Sequence, residues 1–326
     1  MKHAERGRHV WVPLLLGALL AVSLQPANGQ IVAQAALDVQ ARPDTGTIAA
    51  GRFRLRYRIE GTGRPTIVIG SAIYYPRVFS QHLRKHLRLV FLDHRGVAAS
   101  PGRVDTAEFA LDTLVDDIER ARQEPALGRV AVIGHSGHGF MALEYAKKYQ
   151  KNVSHVIMIG IAPDLSAASA AAAERYWQES VSPERKAVME ENLRRLPDEK
   201  LAQLPSGERF IRSYLRNAPR IWYDPRFDAS PLWEGVEENM DIMAHVWGRV
   251  FRDIDITQGL ATFDRPVFLA LGRYDFIVAP PSAWDAIRPK FRDFTVRVFE
   301  RSGHTPPLEE AELFDTELLR WMQERR

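Results

Sequence analysis

The chain has 326 residues, 45% hydrophobic and 26% charged, so it reads as globular and is long enough for an α/β domain with an insertion. Its net charge of +3 sits mostly in the leader, where Lys2, Arg6 and Arg8 face only Glu5; the rest is near neutral, which excludes recruitment of nucleic acid or anionic membrane by bulk charge. There is no cysteine, which excludes disulfides, thiol chemistry and cysteine metal sites.

Residues 1–29 read as a secretory signal peptide. Lys2, Arg6 and Arg8 form a basic start, Val10 to Leu24 an uncharged apolar run, and Ala27-Asn28-Gly29 a small-residue cleavage site before Gln30. The run is short for a full span and contains Pro13, so the expectation is export to a periplasmic or extracellular location, with no stable membrane association after cleavage. Residues 30–50 are aperiodic and are read as a flexible N-terminal segment.

From Arg52 the pattern becomes regular. "RFRLRYRI" alternates strictly and reads as a charge-protected edge strand. "PTIVIG" (65–70) and "LRLVFLD" (87–93) read as strands on either side of a helix over Pro76 to His86. Phe109 to Arg122 has helical periodicity, "RVAVIG" (129–134) is a β-branched strand, Gly137 to Tyr149 a helix and "SHVIMIG" (154–160) a strand. Near-continuous apolar strands alternating with helices predict a mostly parallel sheet with helices on both faces. The alternation stops over residues 163–262, a helical block holding Trp177, Trp222, Trp233 and Trp247. It resumes with "RPVFLALG" (265–272), a helix near Pro281 to Ile287, "FTVRVFE" (294–300) and a closing helix from Pro307. The predicted organisation is therefore a core of residues 51–162 and 263–326 with an inserted helical cap of residues 163–262.

The stretch "GHSGHG" places Ser136 between a strand and a helix, with Gly134, Gly137 and Gly139 around it. A sharp strand-to-helix turn needs small neighbours, and ligand chemistry in open α/β sheets gathers at strand C-termini. The G-x-S-x-G pattern in that setting is a nucleophile elbow. A serine hydroxyl needs a base, and the base needs an orienting acid. The chain order for this architecture is serine, acid, histidine. His3 and His9 lie in the leader; His82, His86, His155 and His245 lie in helices, at a strand start or in the cap; His94, His135 and His138 precede or flank the serine. His304 alone follows a late strand, in "ERSGHTPPLEE", and is the candidate base. Asp275 follows the penultimate strand and is the candidate acid, whereas Asp264 and Asp293 precede their strands. A tetrahedral oxyanion needs backbone N–H groups. Gly137 supplies one; the other is expected from "GSAIYYP", with Ala72 chosen and Ser71 and Ile73 as neighbours. No cofactor is expected. His135 and His138 flank a non-repeating turn without a third ligand, so no metal is expected either.

The blocks "FLDHRGVAAS" (a D-x-R-G segment), "GHSGHG", "GRYDF" and "SGHTP" resemble α/β-hydrolases of the proline iminopeptidase-like group, over roughly Phe53 to Met322. The resemblance implies the α/β-hydrolase fold and a Ser136–His304–Asp275 triad working through an acyl-enzyme. The matched family has His-Gly-Gly-Pro-Gly where this chain has Gly70-Ser71-Ala72-Ile73-Tyr74, and His138 replaces a bulky apolar residue. The pocket next to the oxyanion loop is therefore expected to differ. Ile73, Tyr74 and Tyr75 would fill it with apolar bulk, suiting small or medium acyl groups better than a charged amine. The expected substrate is a small molecule or short peptide: an ester, lactone or amide. The alternatives are an aminopeptidase of the proline iminopeptidase type, with Glu174, Glu237 and Glu238 as acidic cap candidates, and a non-catalytic binding protein on the same scaffold. Elbow aspartates serve dehalogenases and epoxide hydrolases, so Ser136 argues against those.

Overall fold

The computed structural model describes residues 44–99, 102 and 105–325, all within the unit Pro43–Arg326. The signal-peptide reading of residues 1–29, and residues 30–43 of the N-terminal segment, lie outside the described residues. The sheet has eight strands: β1 (Asp44–Ala50), β2 (Phe53–Glu60), β3 (Arg64–Gly70), β4 (Leu87–Asp93), β5 (Val130–His135), β6 (Val153–Ile159), β7 (Val267–Gly272) and β8 (Phe294–Phe299). Their spatial order is β1-β2-β4-β3-β5-β6-β7-β8. β2 runs antiparallel to β1 and β4, and the other pairs are parallel.

Every residue of β5 and β7 is buried, as strands covered on both faces require. Alternate residues serve opposite layers. Val130 and Val132 join the cluster containing Phe140, Phe251 and Trp284, while Ala131 and Ile133 join the one containing Phe79, Phe314 and Trp321. Helices α1 (Leu111–Gln123) and α2 (His138–Lys148) carry residues of the first cluster, and the C-terminal helix (Ala311–Glu324) closes the second with Phe314, Leu318, Trp321 and Met322.

Four expectations change. Residues 44–50, read within a flexible segment, form β1, paired with β2 from Asp44↔Ile59 to Ala50↔Phe53. Only Ile48 and Ala50 are fully buried there, so the apolar signal was too thin to read. β2 is consequently not an edge strand; β1 is. The helix expected over Pro76 to His86 is two short 3-10 turns, Tyr75–Arg77 and Leu83–Lys85. The buried Arg84 guanidinium donates to the carbonyls of Pro76, Phe79 and Ser80 and pairs with Glu60, holding those carbonyls off a helical ladder. The helix near Pro281 to Ile287 is likewise a single 3-10 turn, Pro281–Trp284.

Between β6 and β7 the described residues form helices and turns only. The longest are α3 (Ala167–Ser180), α4 (Pro183–Arg195) and α5 (Ser206–Arg216). Helix α6 (Met240–His245) runs on into a π-turn over Val246–Val250, which carries Trp247. Single π-turns of this kind are enriched at functional sites.

Candidate active site

Ser136 is the first residue after β5, and its φ is +56°. Among the described non-glycine residues only Ala126 shares a positive φ. Left-handed backbone costs a residue with a side chain about 1–3 kcal/mol, and it survives where the surroundings dictate it. Here the Ser136 N–H donates to the Ile159 carbonyl at 2.8 Å, and its own carbonyl accepts from Gly139 N–H at 2.8 Å. Two glycines permit the crowding. A Cβ on Gly134 would lie 2.1 Å from the His138 carbonyl oxygen, and one on Gly137 would lie 2.5 Å from Nε1 of Trp247. Ser136 is partly exposed while the residues on both sides of it are buried.

His304 and Asp275 sit on the loops after β8 and β7. His304 Nδ1 donates to Asp275 Oδ2 at 2.7 Å, and both side chains are 2% exposed. Several carbonyls and carboxylates hold the His304 loop. His304 N–H donates to the Ile221 carbonyl at 2.6 Å. Glu309 accepts from the N–H groups of Gly303, Thr305 and Tyr223, and Glu310 from Arg301 N–H and the Ser302 hydroxyl. Burial raises the Glu309 carboxyl, against the pull of its three backbone donors.

The structure therefore joins His304 to Asp275 directly. No hydrogen bond joins Ser136 to His304; they are brought together through neighbours. Ile159, which accepts the Ser136 N–H, precedes Gly160, and a Cβ on Gly160 would lie 3.0 Å from His304 Nδ1. The His135 ring, adjacent in sequence to Ser136, packs on the His304 ring with centroids 4.5 Å apart. Hydrogen bonds of this kind are often long without substrate.

The oxyanion expectation needs a correction. Gly137 starts α2, where N–H groups have no intrahelical acceptor. The Ala72 N–H is not similarly free: it donates to Asp93 Oδ1 at 2.7 Å. Asp93 is fully buried at the end of β4, and burial raises its carboxyl despite the Ala72 N–H and Arg56, which donates to Oδ2 at 2.6 Å. A buried carboxylate needs such donors, and Ala72 is one of them. The neighbouring Ile73 N–H makes only a 3.2 Å contact with the Ser71 hydroxyl, which Tyr74 N–H shares.

Sequence reasoning set three histidines aside that the structure gathers under the elbow. His135 Nε2 donates to the His304 carbonyl at 2.9 Å, and its Nδ1 lies 3.2 Å from the Tyr75 hydroxyl. His138 Nδ1 donates to the His135 carbonyl at 3.0 Å and lies 3.3 Å from the same hydroxyl. Burial lowers the pKa of His135, with the nearby His304 adding to it. The signal that could have found them was His94 just after β4, with His135 and His138 on either side of the elbow serine. The D-x-R-G arginine, Arg95, has a structural place: it pairs with buried Asp117 of α1 at 2.6 Å and donates to the Glu108 carbonyl.

The cap tryptophans divide. Trp177 and Trp222 are buried against Phe276 and Phe227 respectively. Trp233 packs on Tyr74 at 4.7 Å, and Trp247 covers Gly137. The acidic candidates divide too. Glu174 pairs with Arg220 at 2.8 Å, and Glu237 is exposed. Glu238 is partly buried, its Oε2 shielded and without a partner, and burial, then Asp93, push its carboxyl up to about 8. Trp233, Glu237 and Glu238 line one cavity of about 840 Å³ within the cap. Among the described residues no three His, Asp or Glu side chains converge to hold a metal.

A family profile described as alpha/beta hydrolase fold matches residues 62–311. The chain is 42% identical over 272 residues to the AB hydrolase superfamily protein YclE of Bacillus subtilis (strain 168), covering 83% of this chain and 96% of that one. It is 24% identical over 288 residues to the proline iminopeptidase of Heyndrickxia coagulans, covering 81% and 93%. Among solved structures, the proline iminopeptidase of Mycobacterium smegmatis superposes with a TM-score of 0.63 at 14% identity, covering 86% of this chain and 98% of that one.

Proposed function

This chain belongs to the α/β hydrolase fold family and is a hydrolase, and on that premise we propose that it is an exported serine hydrolase cleaving small esters through an acyl-enzyme. The observation that carries the reading is the buried His304–Asp275 hydrogen bond beside a serine with φ +56°. In this reading Ser136 Oγ attacks the substrate carbonyl carbon and His304 Nε2 takes its proton. Asp275 fixes the imidazole with its proton on Nδ1 and stabilises the cation that forms. The oxyanion meets the Gly137 N–H and a second donor, for which Ile73 is better placed than Ala72 because its N–H is held only by a long contact. His304 then protonates the leaving alkoxide, and water, activated by the same imidazole, releases the acid and restores Ser136.

Apolar bulk near the oxyanion loop supports an apolar acyl group: Tyr74 and Tyr75 are buried, and Trp233 and Trp247 reach toward the loop and the elbow. The second reading, an aminopeptidase of the proline iminopeptidase type, is favoured by one observation. The unpartnered Glu238 carboxyl could meet an ammonium, which would draw it into its ionised form. The experiment is fluorophosphonate labelling of the protein and of Ser136→Ala, followed by kcat/KM on p-nitrophenyl butyrate and proline-naphthylamide. We expect one phosphonyl group, lost in the variant, and a preference for the ester. Failure to label would return the chain to a binding role, and a preference for the amide would restore the aminopeptidase reading. Export is tested by N-terminal sequencing of the secreted protein, which should begin at Gln30.

A further inference from the structure

We propose that His94 and His138 form a hydroxyl-binding subsite that selects esters whose acyl group carries a hydroxyl; this rests on the serine hydrolase reading. The hydrogen bonds fix the proton on each ring. His94 Nδ1 accepts from the Gly96 N–H at 3.0 Å. A backbone N–H can only donate, so Nδ1 carries the lone pair and the neutral ring keeps its proton on Nε2. His138 Nδ1 faces the His135 carbonyl at 3.0 Å, and a carbonyl can only accept. Its proton is therefore on Nδ1 and its Nε2 carries the lone pair. Both rings are neutral: burial takes His94 down to about 3, and burial, then His94, lowers His138 well below the ordinary histidine value.

The two remaining nitrogens are thus one donor and one acceptor. Both Nε2 atoms are shielded from solvent and have no partner, and the side chains are 5% and 9% exposed. The ring centroids lie 4.7 Å apart with planes at 58°. One hydroxyl answers both, accepting from His94 Nε2–H and donating to His138 Nε2. A carboxylate finds no donor on His138, and an ammonium finds no acceptor on His94. An entirely apolar acyl chain leaves both stranded.

The pair lies beside the reacting centre. The Trp247 ring sits 5.6 Å from His94 and 5.2 Å from His138, and the same ring covers Gly137. Met243 of α6 closes the far side; a Cβ on Gly96 would lie 2.7 Å from its Sδ and 2.3 Å from His94 Cε1. The pair is therefore flanked by the apolar side chains of Trp247 and Met243.

The test compares kcat/KM on p-nitrophenyl esters of butyric, 2-hydroxybutyric and 3-hydroxybutyric acids. The wild type should prefer at least one hydroxy ester by at least about tenfold, because the apolar ester leaves both Nε2 atoms unpaired. His94→Phe should bring that ratio near one, and His94→Gln, which keeps an N–H donor, should retain part of it; His138→Phe provides a second variant if His94→Phe does not fold. Equal turnover of all three esters by the wild type means that a water alone fills the pair and overturns the subsite while leaving the serine hydrolase reading standing. A preference unchanged in a folded His94→Phe protein also overturns it. Turnover of none of the three, with no labelling of Ser136, overturns both.

Discussion

At the β7 and β8 ends, the groups proposed to carry the chemistry are paired. His304 meets Asp275, the His304 loop is held by Glu309 and Glu310, and His135 donates to the His304 carbonyl. At the end of β4, at the start of α2 and in the cap, polar atoms are shielded but unpartnered: His94 Nε2, His138 Nε2, Trp233 Nε1 and Glu238 Oε2. Buried polar groups in folded proteins are almost always satisfied, so a cluster of exceptions calls for an explanation. We take the first side as the chemical apparatus, complete before substrate arrives, and the second as the recognising surface, completed by substrate.

Removing a group from the paired side should therefore abolish turnover with little change in binding. Ser136→Ala should reduce kcat by at least about 10⁴-fold, since the groups of a triad act as a unit. Asp275→Asn should follow at about 10³–10⁴-fold, because the amide favours the wrong imidazole tautomer, with KM nearly unchanged. Kinetics on one p-nitrophenyl ester, with circular dichroism as the folding control, check both. A folded Ser136→Ala protein within tenfold of the wild-type rate would erase the division of labour.

The paired side was the legible one. Ser136 directly follows β5, and Asp275 and His304 lie on the loops just after β7 and β8, so strand order placed all three at the C-terminal ends of strands. β1 was not legible, because Thr, Gly and Ala dominate Asp44–Ala50 and its pairing to β2 comes from backbone groups. The Ala72 N–H was misjudged for a related reason. Its partner Asp93 is a residue of β4, 21 positions away, and nothing local to "GSAIYYP" reveals it. The histidine cluster depends on the β4 end meeting the elbow at the start of α2, which composition cannot show.

Glu238→Gln sharpens the comparison from the unpaired side. The Glu238 carboxyl is raised from 4.5 to about 8 in the folded protein. Between those values the folded state keeps a proton that the unfolded state releases, so the contribution of Glu238 to stability falls as pH rises through that window and is lowest above about 8. Glutamine stays neutral throughout. The variant should therefore gain on the order of 4 kcal/mol over wild type near the top of the window, with the gain shrinking toward its lower end. Urea melts across the window decide it; a gain that does not change with pH would show that ionisation of Glu238 is not its source.

The smallest effect concerns the strained backbone at the boundary between the two sides. Ser136→Gly and Ser136→Ala both lack the hydroxyl, so their difference reports backbone energy and not catalysis. At φ +56° alanine keeps the clash of its Cβ with the carbonyl, roughly 1–2 kcal/mol, while glycine avoids it. Against this, glycine loses more chain entropy on folding, about 0.5–1 kcal/mol. The clash is the larger contribution, so the glycine variant should be the more stable by about 0.5–1 kcal/mol. The size of the gap measures how firmly Ile159 and Gly139 hold the turn, because a backbone free to relax would let alanine escape the left-handed region. Paired urea melts at one pH resolve a difference of that size. An alanine variant equal to or more stable than the glycine variant would mean that the elbow relaxes, and that the paired side is less rigid than its hydrogen bonds imply.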